Sequence, residues 1–407
     1  VVLEQAGGPP TGLRGEILQP NGQAILDRLG ILSKLPSDAV RPVRYFHFCR
    51  AGETKATALQ GGRPQRMCTI DYGMLPPPYN RAIVTLPNAA HHAVLNALEN
   101  VAPGALRYGA EFKGLIRDGD RIAGVEAEHA GQRVTISAKI VVGADGALSK
   151  VRDALGIRAC LHRYPEAYLI AILEGPDEMA EARYFVGRRT ILGVFPATGR
   201  KVYLFYMIPA DSMSQIKRTG LRPLREQWSK IAPDLAATFR TLVDWKQTAY
   251  MPTGRVYTDT WVADGAVLIG DAAHAMNPHA SQGRMQAMMD AMVLADLIPG
   301  CLDKHDCSAA ALASFERTRR PHVEMLQRLA DEQVRFWNTG NPLLGFLRDR
   351  VFKTLDRNRR LRYQVLSTTA GLRTSPPFGM LDRLIAAGLL PDLHADRLPA
   401  DAMVQTG

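Results

Sequence analysis

The sequence predicts a mixed α/β chain: a discontinuous domain built on a parallel sheet, a β-rich module inserted in two pieces, and a helical region at the end. Three observations carry this. Two buried apolar runs, "KIVVGADG" and "GAVLIGDAAH", each stop at a glycine and an aspartate before helix-like sequence, as strands of an open parallel sheet do. Residues near 106–142 and 164–210 read as short strands broken by Gly turns, and the chain from about Ala309 onward has helical spacing. The implied division is 1–40, 78–160 and 252–310 for the discontinuous domain, 41–77 and 161–251 for the β-rich module, and 311–407 for the helical region.

The elements follow in order. "VVLEQAGG" is an apolar strand ending in an acid, followed by a Gly/Pro-rich turn. Pro20 and Asn21 then mark entry to a helix with Ile25, Leu26, Leu29 and Ile31 on its apolar side. "VRPVRYFHF" and "TKATALQG" read as strands, and "LPNAAHHAVLNALENV" as a helix packing Val94, Leu95 and Leu98 inward. "ALSKVRDALGI" is the helix after the first glycine-aspartate break, and "PLREQWSKIAPDLAATFRTLV" is a helical insert. "SQGRMQAMMDAMVLADLI" is a long amphipathic helix whose Met285, Met288, Met289 and Met292 have the spacing of core packing. Tyr45, His47, Phe195, Tyr203 and Phe205 alternate on strands; sheet packing is the first reading, the lining of an aromatic pocket the second.

Composition narrows the classes. A chain of 407 residues, 46% hydrophobic, can bury a core large enough for two or three units. Five scattered cysteines with no Cys-x-x-Cys pair suit reduced thiols, and the adjacent His91 and His92 do not suit a metal. A formal charge of +10 matches an anionic partner or a phosphorylated cofactor, but no interleaved aromatic and basic pattern points to nucleic acid. Without an unbroken apolar run of roughly 18 residues, a cytoplasmic setting is expected. The basic stretch Arg348–Arg362 reads as a solvated helix face or, with "GMLDRLIAAGLLPD", as a peripheral membrane contact.

Chemistry concentrates in "GADGALSKVR" and "GDAAHAMNPHASQG". Each puts a carboxylate, Asp145 or Asp271, at the carboxyl end of a sheet strand, where open α/β sheets bind ligands. Carboxylates there can accept from ribose or ribityl hydroxyls, glycines such as Gly270 allow close approach, and a helix starting near Gln282 offers free N–H groups to an electron-rich edge. His274 within the second motif reads as a satisfied structural residue.

These two motifs resemble the GADGxxSxxR and GDAAHxxxPxxGQG signatures of the FAD-dependent aromatic hydroxylases, the para-hydroxybenzoate hydroxylase-like flavoprotein monooxygenases. "RGEILQPNG" and "FERTRRPHV" are similar to further segments of that family, so the likeness spans most of 1–325. The resemblance implies a Rossmann-like FAD-binding domain, NAD(P)H as co-substrate without a second nucleotide fold, and hydroxylation of a small aromatic or quinone-like substrate through a flavin C4a-hydroperoxide. It places Glu4 on the adenosine ribose, Arg14 on the diphosphate, and Asn88 where a longer side chain usually touches the cofactor. Asp145 would serve FAD and NAD(P)H, and Asp271 the ribityl or pyrophosphate region. Pro278, Ser281, Gln282, Gly283, Arg284 and Met285 would lie beside the isoalloxazine ring.

Two departures stand out. "SQGRM" replaces the usual GQG, apolar residue and Asn, putting Ser281, Arg284 and Met285 at altered positions. Glu4 corresponds to an acid about 20 residues after a GxGxxG turn, so the expectation is a chain entered after its first β-α unit, with that turn upstream of Val1. A reductase on the same fold, and a non-catalytic binding protein lacking the phosphate loop, stay open beside the monooxygenase.

Overall fold

The computed structural model describes residues 1–13, 17–52, 59–60, 63–176 and 178–398. The two apolar runs form the parallel strands that the sequence predicts: Val141–Gly143 pairs with Ala266–Leu268, Val142 opposite Val267. Val262–Ala263 adds an antiparallel edge. Val2–Glu4 pairs in parallel with Leu106–Tyr108. Among the described residues no ladder joins these two parallel pieces, and Val2 and Val142 are 47% and 41% exposed on strands bonded along one side. Beneath the second piece, Val141, Val151, Trp261, Val267 and Leu268 share a core with Leu312 and Phe315 of the helix Ala309–Trp337, which Ser308 caps through its side chain.

A seven-stranded sheet forms the other layer. Its order is Thr248–Thr258, Ala159–Glu174, Lys201–Pro209, Thr190–Pro196, Ala182–Gly187, Tyr45–Arg50 and Arg66–Asp71, antiparallel except where Ala182–Gly187 meets Tyr45–Arg50. Alternation along Ala159–Glu174 separates two cores. Ala167, Leu169, Ala171 and Leu173 face Trp228, Ile231 and Phe239 of the helical insert, while Tyr168 and Ile170 face Phe352, Leu361 and Leu366 of the C-terminal helices. Each such fully buried large side chain contributes about 1.5–3 kcal/mol relative to exposure.

Several expectations change in detail. "VRPVRYFHF" is two strands, Val40–Val43 and Tyr45–Arg50, which join different sheets on either side of Arg44; Arg44 itself is held by Asp71 at 2.7 Å. "TKATALQG" lies largely outside the described residues. Leu29 is 49% exposed because the helix Pro20–Arg28 has already ended and Gly30 turns the chain at φ +64. On Ala89–Val101 the small residues Ala90, Ala93 and Ala97 face the core and Val94 is 40% exposed, since close packing against Leu18 and Leu26 favours the alanine side. The basic stretch is not uniformly solvated: Arg348 is buried and donates to the carbonyls of Gly187 and Trp337, both at 2.9 Å.

The helix Gly283–Asp303 is long and apolar enough to cross a membrane by length and composition. Here it packs against Pro20–Arg28 and Ala309–Trp337 and turns Asp290 into the core. The five cysteines are free thiols, and the described residues hold no cluster suited to a metal.

Candidate active site

The turn after Ala266–Leu268 is fixed by a buried polar network. Gly270 adopts φ 59, ψ −142, and a Cβ there would lie 3.0 Å from that of Ala287. Only glycine takes this conformation without strain. Its N–H donates to Asp290 at 2.9 Å, and the same carboxylate meets His274 Nε2 at 2.5 Å and Arg319 Nε at 2.8 Å. Arg319 also donates to Gln286 Oε1 (2.6 Å), Gln286 donates to Gln282 Oε1 (2.9 Å), and Asn21 donates to that oxygen too (3.0 Å). The Gln282 amide finally donates to the Thr369 carbonyl at 2.6 Å. Burial opposes charge on Asp290, but the His274 bond, the His274 and Arg319 charges and the Gly270 N–H outweigh it and hold the carboxyl below its usual range.

His274 is therefore structural, bonded to Asp290 and packed 4.7 Å from the Trp261 ring. Gln282 spends its side chain within the network. Met285 is fully buried, its Sδ 2.0 Å from where Gly22 would carry a Cβ. Met285, which the resemblance places beside the isoalloxazine ring, directs its side chain into the space that Gly22 leaves in the Pro20–Arg28 helix. Ser281 takes a left-handed conformation, at φ 53, and its N–H donates to the Pro278 carbonyl at 2.9 Å. Pro278 opens a short turn steadied by the Asn277 side chain, which accepts from the His279 N–H at 3.1 Å. Arg284 is half-buried in the first turn of the long helix.

That 21-residue helix begins at Gly283 without a side-chain cap, and only Met276 comes within 4 Å of the Cβ position there. Its first N–H groups thus lack intrahelical partners and sit at the positive end of the dipole. Asp271 is solvent-accessible but closely surrounded by protein, as a group in a cleft is. This burial pushes its pKa up, and it accepts no hydrogen bond among the described residues. Asp145, in contrast, is engaged by the Ser149 hydroxyl and by the Val151 N–H at 3.0 Å. Arg152 links the two motifs by donating to the carbonyls of Ala147 (3.1 Å) and Ala272 (3.0 Å).

Glu4 ends its strand and accepts from the Ala6 N–H at 2.8 Å through one oxygen. Asn88 takes φ 64 at the start of its helix and donates to the Gly12 carbonyl at 3.2 Å, so it braces the turn leading towards Arg14. Arg14 lies outside the described residues.

Beside this turn lies a cavity of about 800 Å³ between the seven-stranded sheet and the C-terminal helices. Phe46, Phe48, Tyr72, Tyr184, Trp337 and Phe352 line it, and His279 and Ser281 border it from the turn. Phe46 and Phe48 alternate with Tyr45 and His47, the pair that the sequence brought to attention; the cavity side is the other one. Phe195, Tyr203 and Phe205 are core. Tyr72 donates to Gln19 Oε1 at 2.9 Å, leaving neither seeking a partner. His279 is different: 5% exposed, with its ring 4.4 Å from that of Trp337, it has no hydrogen-bond partner for either ring nitrogen among the described residues. Burial pushes its pKa down to about 3, so it is neutral at ordinary pH. Nothing in the sequence singled it out, because its setting arises from tertiary packing.

The FAD binding domain family matches residues 1–330. The chain belongs to that family. It is 28% identical over 341 residues to the 6-methylpretetramide 4-monooxygenase of Streptomyces rimosus, covering 82% of this chain and 77% of that protein. It is 31% identical over 240 residues to a kynurenine 3-monooxygenase of Salinispora arenicola, over 54% of this chain and about half (51%) of that one. The fold matches the crystal structure of p-nitrophenol 4-monooxygenase from Pseudomonas putida with a TM-score of 0.77 at 19% identity, covering 91% and 92% of the two chains. FAD-dependent oxidoreductase chemistry of the monooxygenase class goes with this membership. The residues present fit the cofactor on two counts: an uncapped helix N-terminus at an open turn, and in Asp271 a carboxylate with no protein donor.

Proposed function

We propose that the protein is an NAD(P)H-using, FAD-dependent monooxygenase that hydroxylates an aromatic or quinone-like small molecule. The observation that carries this is the aromatic-lined cavity ending at the Pro278–Gly283 turn, so that a substrate ring and the cofactor site share one wall. Bound FAD supplies the electron transfer and oxygen activation that no side chain offers.

The chain does the rest. Asp271 would accept from cofactor hydroxyls, and Glu4 would have a second carboxylate oxygen for the same purpose. The first N–H groups of Gly283–Asp303 would offer their positive dipole end to a bound flavin and would favour its reduced, more negative form. Gln282, locked to Asn21, Gln286 and Thr369, keeps that helix end in place. The cavity walls exclude water and hold the substrate ring, the positioning that raises an effective concentration at the reacting carbon. A neutral His279 adds no charge that would compete for the substrate.

A cytoplasmic setting, with peripheral membrane contact through the basic C-terminal region, belongs to the same proposal. The test is purification with flavin, followed by NAD(P)H consumption and product analysis under labelled oxygen. Label in the product supports hydroxylation; substrate-stimulated NAD(P)H consumption without label makes the protein a reductase, and full-length protein that takes up no flavin overturns both.

A further inference from the structure

Volume is the first clue to what the cavity takes. At about 30 Å³ per liquid water, 800 Å³ has room for roughly 27 water-sized occupants. A single ring with one acid group fills only a small part of that and leaves the rest wet. Cavities of this size, in the upper part of the roughly 300–1,000 Å³ range for ligand sites, suit drug-sized molecules. Among the described residues, His279 and Ser281 of the lining come from the cofactor-side turn and Gln19 from the start of the Pro20–Arg28 helix; most of the remainder belongs to the β-rich sheet, its neighbouring segments and the C-terminal helices, so the space is mainly a substrate chamber.

Its chemistry is uneven. Inside, Phe48 stacks on Tyr184 at 5.2 Å and on Phe352 at 4.8 Å, and Trp337 stands edge-on to Phe48 at 5.0 Å. Such rings offer faces and edges to a flat ligand. Along the lining contributed by the helix Ala309–Trp337, charge replaces this: Arg328, Glu332 and Arg335 recur at helical spacing, with Arg383 opposite. Arg383 pairs with Glu332 at 3.1 Å. Arg328 and Arg335, both exposed, have no ion-pair partner among the described residues. Two cations therefore stand unneutralised where an apolar chamber meets solvent, while the unpartnered His279 nitrogens lie in its wall at the turn.

We infer that the chamber takes an extended, fused-ring aromatic ligand of three or four rings carrying an anionic group, whose rings pack on Phe48, Tyr184 and Trp337 and whose charge rests at Arg328 and Arg335. This rests on the monooxygenase reading and names the substrate class for it. Single-ring phenols and benzoates meet the same walls but bury less apolar area on them.

The test uses the full chain with its flavin and follows tryptophan fluorescence, with Trp337→Phe identifying the reporting ring. Anthraquinone-2-carboxylate, its uncharged analogue 2-hydroxymethylanthraquinone, and benzoate are titrated in turn. The tricyclic acid is expected to bind about tenfold or more tighter than benzoate, from the added apolar area. Arg328→Ala/Arg335→Ala should weaken the acid by about tenfold and the uncharged analogue by less than about twofold. Benzoate binding as tightly as the tricycle, or a double variant that weakens both tricycles equally or neither, overturns the inference. Failure of the function is read separately: a chain that binds the tricyclic acid but takes up no flavin refutes the monooxygenase, and a flavin-loaded chain that prefers benzoate refutes the ligand class alone.

Discussion

Replacing Asp290 by Asn is the sharpest test of the network beneath the cofactor turn. Asp290 is wholly buried and neutralises Arg319, itself only 4% exposed, while also holding His274 and the Gly270 N–H. Asparagine retains a carbonyl for one or two of these donors but leaves the guanidinium charge buried without a counter-ion. Removing one partner of a buried pair costs about 3–5 kcal/mol, against a total stability of roughly 5–15 kcal/mol for a typical domain. Denaturant unfolding of wild type, Asp290→Asn, Arg319→Gln and the double variant measures this as a cycle. The double variant should be markedly more stable than the sum of the single losses implies, with a coupling of about 2 kcal/mol or more. A single-variant loss below about 1 kcal/mol, or additive losses, would refute the claim that Asp290 is the counter-ion on which buried Arg319 depends.

The sign of the pH dependence follows from the same geometry. The folded pKa of Asp290 is depressed, so its contribution is present above the unfolded value near 3.9 and is lost as pH falls through the lower folded value. Asp290→Asn should thus remove part of the acid limb of the stability profile and leave its slope near pH 7 unchanged.

Two further outcomes are expected. Gly22→Ala would put a methyl group 2.0 Å from Met285 Sδ and 2.8 Å from Leu18 Cδ1. Overpacking should cost about 1–3 kcal/mol, and Met285→Ala should then destabilise the Gly22→Ala chain less than it does the wild type; equal effects in thermal or denaturant unfolding would break the assignment of Met285 to this helix contact. His279 and His322 have folded pKa values pushed down by burial to about 3 and about 4. Their contribution is complete above the unfolded value near 6.5 and fades as pH falls towards those folded values, by up to about 1.4 kcal/mol per pH unit for each group. His279→Phe should reduce the slope between pH 6 and 4 by about one proton's worth, and an unchanged slope would show that the imidazole is not held neutral.

The parts of this site that were legible in the sequence are the ones set by local geometry. A buried strand ending at Gly270-Asp271 announces itself because the apolar run, the glycine and the acid are contiguous, and Arg319 lay in a segment whose likeness was recognisable as a string. Asp290 was not legible. It sits seven residues beyond Gly283 in a helix and reads as one polar residue among methionines; only the packing of Gly283–Asp303 against Ala309–Trp337 turns it towards Arg319. The cavity was hidden for a stronger reason, since its walls come from Phe46 to Tyr72, from Tyr184 and from Met325 to Ala387. Period-two alternation said that one side of "YFHF" is buried, but which side borders a void depends on elements nearly 300 residues away.

Met285 shows how two readings of one residue are decided. Motif position put it by the isoalloxazine, and helical spacing put it in the core; the side chain follows the spacing, because Gly22 leaves a hollow that the flexible thioether fills. The departures in "SQGRM" then divide by the direction each side chain takes. Ser281 takes a left-handed backbone at some strain, Arg284 is half-buried in the first helical turn, Met285 turns inward, and Gln282, kept from the family pattern together with Gly283, ties the turn to Asn21 on one side and Thr369 on the other. What the turn offers a cofactor is its uncapped helix amides, and backbone amides do not depend on which side chains stand at 281 and 285 so long as the helix end is held. The letters altered at 281 and 285 therefore leave the helix amides in place, Arg284 adds a cation to the first helical turn, and Gln282 rather than Ser281 or Met285 is where a substitution should loosen the helix end.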